Sequence, residues 1–465
     1  MAEKKPKKPE KTALQKKLGF GSTSWLDFDA WVQWFWGWGI PRPLFLTVLF
    51  LGLLSILSTE IPHLFVFALG WIFGTAPVWL PFVLLIASYQ TWVRYIRSDW
   101  ISGRDPVLLE IHVPREVFKS PRAIETALGA LWQTSGETDF IKRVWVGRVR
   151  PWFSLEIASF GGEIHFYIWT WGLYRNVAEA AIYSQFPDAE IHAVEDYASK
   201  LQYDPARYDG FVNDYKLVAD DVYPISSYID AELDKDPKEE FKVDPLAYMF
   251  EYLSGLKPHE QVWVQITLRS SKASGGIFFP NDTAKEWQAR VEKEIENIRK
   301  QGIPEDERES TVRIPNPTWK QKQQMEAIER HSGKNTFDVC ARGIYLVDTT
   351  KGHVHGSNIG TLRFLWKPLG TGYLNELAPD NTGGHNIFNY PWQDFQGMYK
   401  KFLLRRFLDA YRRRSSFYPP WTAEINVMSV EAIATLWHFP SSGIASPGIS
   451  RIPAKKAAPP PNLPM

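Results

Sequence analysis

The chain has 465 residues, a formal net charge of +1 and one cysteine, Cys340. That length allows two or three domains, and the near-zero charge excludes a global acidic or basic field as the means of finding a partner. A single thiol excludes an intrachain disulfide and a cysteine-based zinc site, and it suits a reducing cytoplasm.

Residues 1–24 form a basic tail rich in Lys and Pro, from Lys4 to Lys17. Such a composition predicts disorder and attraction to anionic lipid. In residues 25–39, Trp25, Trp31, Trp34, Trp36 and Trp38 crowd together. Tryptophan prefers the bilayer interface, so this segment is expected to lie on the cytoplasmic leaflet.

Residues 40–93 predict a two-helix transmembrane hairpin. Between Arg42 and Arg94 the one charged side chain is Glu60. It separates two apolar arms, 40–58 and 61–89, each near the ~20 residues a spanning helix needs. The polar 58–62 stretch, with Pro62, reads as the outer turn. A buried hairpin in a soluble protein is the competing reading, but core helices seldom run so long without charge. Lysines precede the hairpin, and Arg94, Arg97 and Arg104 follow it. The positive-inside rule then puts both termini and the globular region on the cytoplasmic side of the inner membrane.

Residues 103–200 read as strand, helix, strand, strand, helix, strand. The first strand is 107–113. Ser120 and Pro121 open a helix with Ile124, Leu128, Leu131 and Trp132 on one face. Gly161-Gly162 is a two-residue hairpin turn. Its register sets Ile157 against Phe166 and Leu155 against Ile168 on an apolar face, with Glu156 opposite Tyr167 and Ser154 opposite Trp169 on the other. Asn176 and Glu179 resemble a capping box for a helix through Phe186, and 190–194 is a last strand. This βαββαβ order is that of a ferredoxin-like unit.

Residues 218–380 repeat the order with a helical insertion at 281–331. The expected strands are 221–229, 261–268, 336–348 and 372–377. Asp244-Pro245 opens one helix, which ends at Gly255, and Ser357 begins another. Within the insertion, Thr283 with Glu286 and Asn316-Pro317 mark two helix starts. The predicted class is therefore α+β: a transmembrane hairpin followed by two ferredoxin-like units. Residues 378–396 are a Gly/Asn/Pro-rich loop, 397–440 a basic helix and a C-terminal α/β segment, and 453–465 a Pro-rich extended tail.

Chemical motifs are sparse. Gly333-Lys334 fails the phosphate-loop pattern, since Ile328 and Asn335 stand where Gly and Ser or Thr belong. His353 and His355 have no third ligand at a motif spacing, and His385 reads as a loop residue. There is no nucleophile elbow, and Ser441-Ser442-Gly443 is ordinary linker chemistry. No catalytic, cofactor or metal residue is predicted. The one sharp candidate contact is a stripe of Lys400, Lys401, Arg405, Arg406, Arg412, Arg413 and Arg414, interleaved with Tyr399, Phe402, Phe407 and Tyr411. It could follow nucleic-acid phosphates, lie on anionic lipid, or be a solvated helix packing Leu403, Phe407 and Ala410 on the sheet.

Residues 108–116 (LLEIHVPRE) and 119–125 (KSPRAIE) resemble the membrane-anchored N-terminal region of bacterial type IV secretion coupling-protein-like ATPases. Phe417-Tyr418-Pro419-Pro420 and residues 429–440 and 455–464 are similar to it as well. The resemblance spans about residues 40–464 and contains no catalytic residue. In that family the Pro-rich segment leads into an ATPase of the FtsK/HerA type. The sequence ends at Pro464-Met465, so the resemblance brings no Walker lysine with it. It implies a non-enzymatic subunit or adaptor of a transfer machine, partnered by membrane lipid and a separate ATPase or secretion subunit. Nucleic acid and self-association stay open as further partners. A catalytic site built from the 378–396 loop is the weakest expectation.

Overall fold

The computed structural model describes residues 42–60, 62–114, 119–137, 139–235, 244–271, 283–302, 316–380, 392, 394–419, 421–440 and 451–452. The 1–24 tail, the tryptophans of 25–39, the 453–465 segment and most of the 378–396 loop, His385 included, lie outside the described residues. Two compact units are distinguished. One holds residues 1–91 with 386–400, and the other holds 92–385 with 401–465.

The apolar region forms helices α1 (Arg42–Glu60) and α2 (Pro62–Ser102). Pro62 starts α2 where a missing N–H costs nothing. At 41 residues α2 is roughly 60 Å long, twice the thickness of a bilayer's hydrocarbon core. Its Phe65–Ser102 stretch is long and apolar enough to cross a membrane, and its most apolar window is not buried within the protein. Among the described residues no other helix meets that test; the apolar part of α1 is the shorter Leu46–Ile56. The second arm thus does not stop at residue 89. No glycine or proline interrupts it between Pro81 and Gly103, so the helix continues through Arg94, Arg97 and Asp99.

The globular elements follow in chain order: β1 (Pro106–Pro114), α3 (Pro121–Ala130), α4 (Phe140–Val144), β2 (Trp152–Phe160), β3 (Glu163–Trp171), α5 (Arg175–Gln185), β4 (Glu190–Val194) and α6 (Tyr197–Lys200). Then come β5 (Tyr208–Leu217), α7 (Ala247–Ser254), β6 (Glu260–Ser270), α8 (Thr283–Gln301), α9 (Trp319–Ser332), β7 (Thr336–Asp348), α10 (Gly356–Arg363) and β8 (Leu377–Pro379). The last are α11 (Met398–Arg412), β9 (Asn426–Ser429), α12 (Val430–Leu436) and β10 (Arg451–Ile452).

The ten described strands make one sheet, antiparallel except for β10 on β1. Its first half runs β4-β1-β3-β2 and its second β6-β7-β5-β8. The halves meet where β2 pairs with β6 along its whole length, from Trp152↔Arg269 to Phe160↔Gln261. Both expected units therefore share a continuous sheet. Gly161 and Gly162 adopt φ of 62° and 97°, and the hairpin takes the register expected of it, Ile157↔Phe166 and Leu155↔Ile168.

Helices cover both faces. Phe153, Leu155, Ile157, Phe166, Ile168, Val264, Ile266 and Leu268 join α3, α5, α7 and α12 in the larger core. On the reverse face Trp152, Tyr167, Trp169 and Trp263 pack with Leu404, Phe407 and Tyr411 of α11. Glu156 and Ser154, on this face as the register predicts, are completely buried.

Several local expectations shift. The second half opens with Tyr208–Leu217, not 221–229. Pro224 withholds a strand donor, and Asp220 instead accepts a turn bond from the Val222 N–H. The closing strand is Leu377–Pro379 rather than 372–377. Helix α5 begins after Tyr174, and Arg175 pairs with Glu179 at 2.7 Å in place of a capping box at Asn176. In α9 the capping box belongs to Thr318 and Gln321, two residues after Asn316. Trp132 does not share the buried face of Ile124, Leu128 and Leu131; it is exposed, and its indole N–H donates to the Thr336 carbonyl.

Candidate functional site

Helix α11 divides the predicted basic stripe in two. Leu403, Leu404, Phe407, Leu408, Ala410 and Tyr411 form its buried face. Lys401, Phe402, Arg405 and Arg406 are exposed, and so is Tyr399; Lys400 is half-buried. The Arg406 guanidinium lies 4.7 Å from the centre of the Trp421 ring. Arg413 is exposed and pairs with Asp409 one turn back at 2.9 Å. Arg412 is spent on the carbonyls of Ala198 and Leu201.

Arg414 is not a surface contact. It is fully buried, with Nε 2.9 Å from Glu156 Oε1 and Nη1 2.5 Å from Asp196 Oδ2. Around it the Tyr197 hydroxyl donates to Glu156 Oε2 at 2.7 Å, and Gln265 Nε2 donates to Glu156 Oε1 at 3.0 Å. Burial pushes the Tyr197 and Tyr411 phenols up, helped by the Glu156 charge. Burial would also lift the Asp196 carboxyl, but hydrogen bonds and charge from Arg414 hold it below its ordinary value. Breaking an ion pair of this kind leaves an uncompensated charge in a dry core.

A second ion group lies on the same face. Asp338 accepts from Arg269 Nη2 at 2.6 Å and lies 3.6 Å from Arg150, which also pairs with Glu137 at 3.1 Å. Arg97 of α2 approaches Glu137 at 3.7 Å. Burial raises the Glu137 carboxyl, but Arg150, Arg269 and Arg97 outweigh it and leave the pKa lowered. A third group centres on Glu431 of α12, which meets Arg330 at 3.0 Å, His331 at 3.2 Å and Lys334 at 2.8 Å. Here too burial is outweighed, by His331, Lys334 and Ser227, and the carboxyl sits far below the usual range.

The fold also gathers residues that are scattered in sequence. Glu110, His112, His165, Glu190 and His192 share one face of β1, β3 and β4. His165 Nδ1 is 2.7 Å from Glu110 Oε1, His112 Nε2 is 3.6 Å from Glu110 Oε2, and the His112 and His192 rings are 5.8 Å apart. The His165 hydrogen bond is the main cause of a lowered Glu110 pKa. Only alternation within β1 (Glu110, His112) and β4 (Glu190, His192) signalled this patch. Among the described residues no group of three or more His, Cys, Asp or Glu is spaced to hold a metal ion. That holds for His353 and His355 too; His355 Nε2 instead lies 3.5 Å from Lys257 Nζ.

No protein-family model, curated protein or solved structure matches the chain.

Proposed function

We propose that the chain is a non-catalytic, membrane-anchored subunit of a bacterial type IV secretion- or conjugation-like transfer machine that docks a separate ATPase. The observation that carries the membrane part is α2, whose exposed apolar stretch continues without a break into Trp92–Ser102 of the globular unit. The transfer-machine part rests on the resemblance of residues 108–125 and 417–420. Charge clusters consumed by one another favour a scaffold over an enzyme.

In this reading α1 and α2 are the arms of a hairpin in the inner membrane, with both termini cytoplasmic. The end of α1 at Glu60, the start of α2 at Pro62 and the flanking Lys and Arg residues support it. The two sheet halves are ferredoxin-like units. The order β4-β1-β3-β2, repeated as β8-β5-β7-β6, supports that assignment. Crosslinking in intact membranes tests the function: an FtsK/HerA-type ATPase or a secretion subunit is expected among the products. Recovery of neither in a reaction that captures other membrane proteins overturns it.

A second reading, a membrane-tethered nucleic-acid binder, draws on exposed Lys401, Arg405 and Arg406 beside exposed Tyr399 and Phe402. Cations followed by aromatic platforms suit single-stranded nucleic acid. Its footprint is smaller than the sequence suggested, since Arg412 and Arg414 are engaged internally.

A further inference from the structure

Where the apolar run of α2 ends, the globular unit carries a patch of exposed apolar side chains. In and after α4, Phe140 is 52 % exposed, Ile141 64 %, Trp145 64 % and Val146 46 %. A short turn that exposes so many apolar groups marks a contact surface.

The patch is fixed to α2. The Trp92 indole N–H donates to the Val144 carbonyl at 2.9 Å, and the Trp92 and Trp145 rings meet edge to face at 5.8 Å. Gly147, at φ +72°, lies so close to α2 that a Cβ would come within 2.3 Å of the Ile96 carbonyl oxygen. Backbone rests on backbone there, which only glycine permits.

The position along α2 matters. Apart from His63, residues 61–93 bear no ionisable side chain until Tyr89, and the first cations are Arg94 and Arg97. Trp92 and Tyr95, 41 % and 65 % exposed, stand at this border. Aromatic rings at the end of an apolar run, followed by arginine, are the composition of a membrane–water interface. The patch has a similar composition: Phe140, Ile141, Trp145 and Val146 with exposed Arg148 beside them, while Lys142 pairs with Asp139 at 3.0 Å and the Arg143 guanidinium donates to the Glu137 carbonyl.

We propose that the α4 segment is an interfacial wedge, which inserts Phe140, Ile141, Trp145 and Val146 among the headgroups of an anionic leaflet. Exposed Arg148 then faces the lipid phosphates. The occupant is lipid because the patch continues the border on α2 and its charge is complementary to an anionic surface. The proposal rests on the reading of α2 as a membrane helix and adds a second point of lipid contact.

The test uses the full chain in vesicles of phosphatidylcholine and phosphatidylglycerol at 3:1, with a spin label on one introduced cysteine. Cys340 does not compete for label, since it is buried and its thiol is pushed up to about 12 by burial. Labels at Ile141→Cys and Val146→Cys are compared with Leu84→Cys in the apolar run and Lys300→Cys on α8. Collision with oxygen relative to a water-soluble nickel chelate is expected to be several-fold higher at 141 and 146 than at 300. The wedge is overturned if 141 and 146 read as aqueous as 300 while 84 reads lipid. Labels at 141 and 146 shielded from both reagents indicate a protein partner and overturn it too. If 84 is also aqueous, the membrane reading itself fails and takes the wedge with it.

Discussion

Arg414 and Glu156 lie 258 residues apart in sequence and meet at 2.9 Å with both side chains fully excluded from solvent. Arg414 does this from a left-handed backbone conformation, φ 49°, just past the end of α11. Glycine is the usual residue at such a helix end, and an L side chain there costs about 1–2 kcal/mol. From there the side chain pairs with both Glu156 and Asp196.

Two substitutions separate these effects. Arg414→Ala strands Glu156 and is expected to cost about 3–5 kcal/mol. Arg414→Gly loses the same pair but relieves the backbone, and so recovers about 1 kcal/mol relative to Ala. Urea unfolding of the detergent-solubilised full chain measures both. A loss below about 1 kcal/mol for Ala would show that the pair contributes little.

His438 and Asp244 set a pH dependence. Both are nearly or fully buried, with Nε2 3.2 Å from Oδ2. Burial alone would lower the His438 pKa, but the charge and hydrogen bond of Asp244 raise it above 6.5. Burial likewise opposes ionisation of Asp244, and His438 lowers it below 3.8 all the same. The imidazolium's contribution is thus complete below pH 6.5 and fades as pH rises through the raised folded value. The carboxylate's is complete above pH 3.8 and fades as pH falls through the depressed one. The difference in stability between wild type and His438→Gln is expected to be largest near pH 5–6 and to shrink on the alkaline side. Urea midpoints for the two proteins from pH 5 to 9 give the curve. A difference that grows above pH 7 would contradict the assignment of a buried imidazolium.

What was legible in the sequence follows the range of the interactions. The hairpin register was readable because alternation and a Gly-Gly turn act within 20 residues. The first insertion helix was readable because its start signal, Thr283 followed by Glu286, is local, and the helix begins at Thr283. Arg414 was not, since its sequence neighbours place it in a basic stripe and its partners lie far away in β2 and before α6. Strand β5 was missed because Gly210, Asn213 and Asp214 dilute its apolar alternation, whereas burial of Asn213 and Asp214 needs the paired β7 to make sense. The His112–His165–His192 patch exists only once β4, β1 and β3 lie side by side.

Lys401 and Arg405 are the positions at which the basic helix can be tested without unfolding it, because both are exposed. Lys401→Glu with Arg405→Glu is expected to change stability by no more than about 0.5 kcal/mol. If the helix tracks a polyanion, retention of single-stranded DNA by the full chain in neutral-lipid nanodiscs falls with salt. In the double variant the slope of log affinity against log salt should be smaller by about 1.4, roughly 0.7 per lost contact. An unchanged slope removes α11 as the polyanion footprint. Charge reversal at Arg414 would not answer the question, because loss of the buried pair would itself disturb the fold.

The β2–β6 seam determines whether the two sheet halves are thermodynamically separable. Leu155 is fully buried beside Ile266, and Ile157 beside Val264, in the centre of that seam. The larger core runs across it without interruption, from Leu109 in β1 to Val347 in β7. Separate ferredoxin-like domains would unfold in two steps, but a shared core makes unfolding of one half expose the flank of the other. We expect one cooperative transition. Leu155→Ala should cost about 2–5 kcal/mol, and it should do so in both halves although the side chain belongs to the first. Hydrogen exchange followed by mass spectrometry on peptides from Pro106–Pro114 and Thr336–Asp348 reads the halves independently. Equal loss of protection in both is the expected result. Protection lost in β1 but retained in β7 would mean that the seam joins two domains that fold on their own.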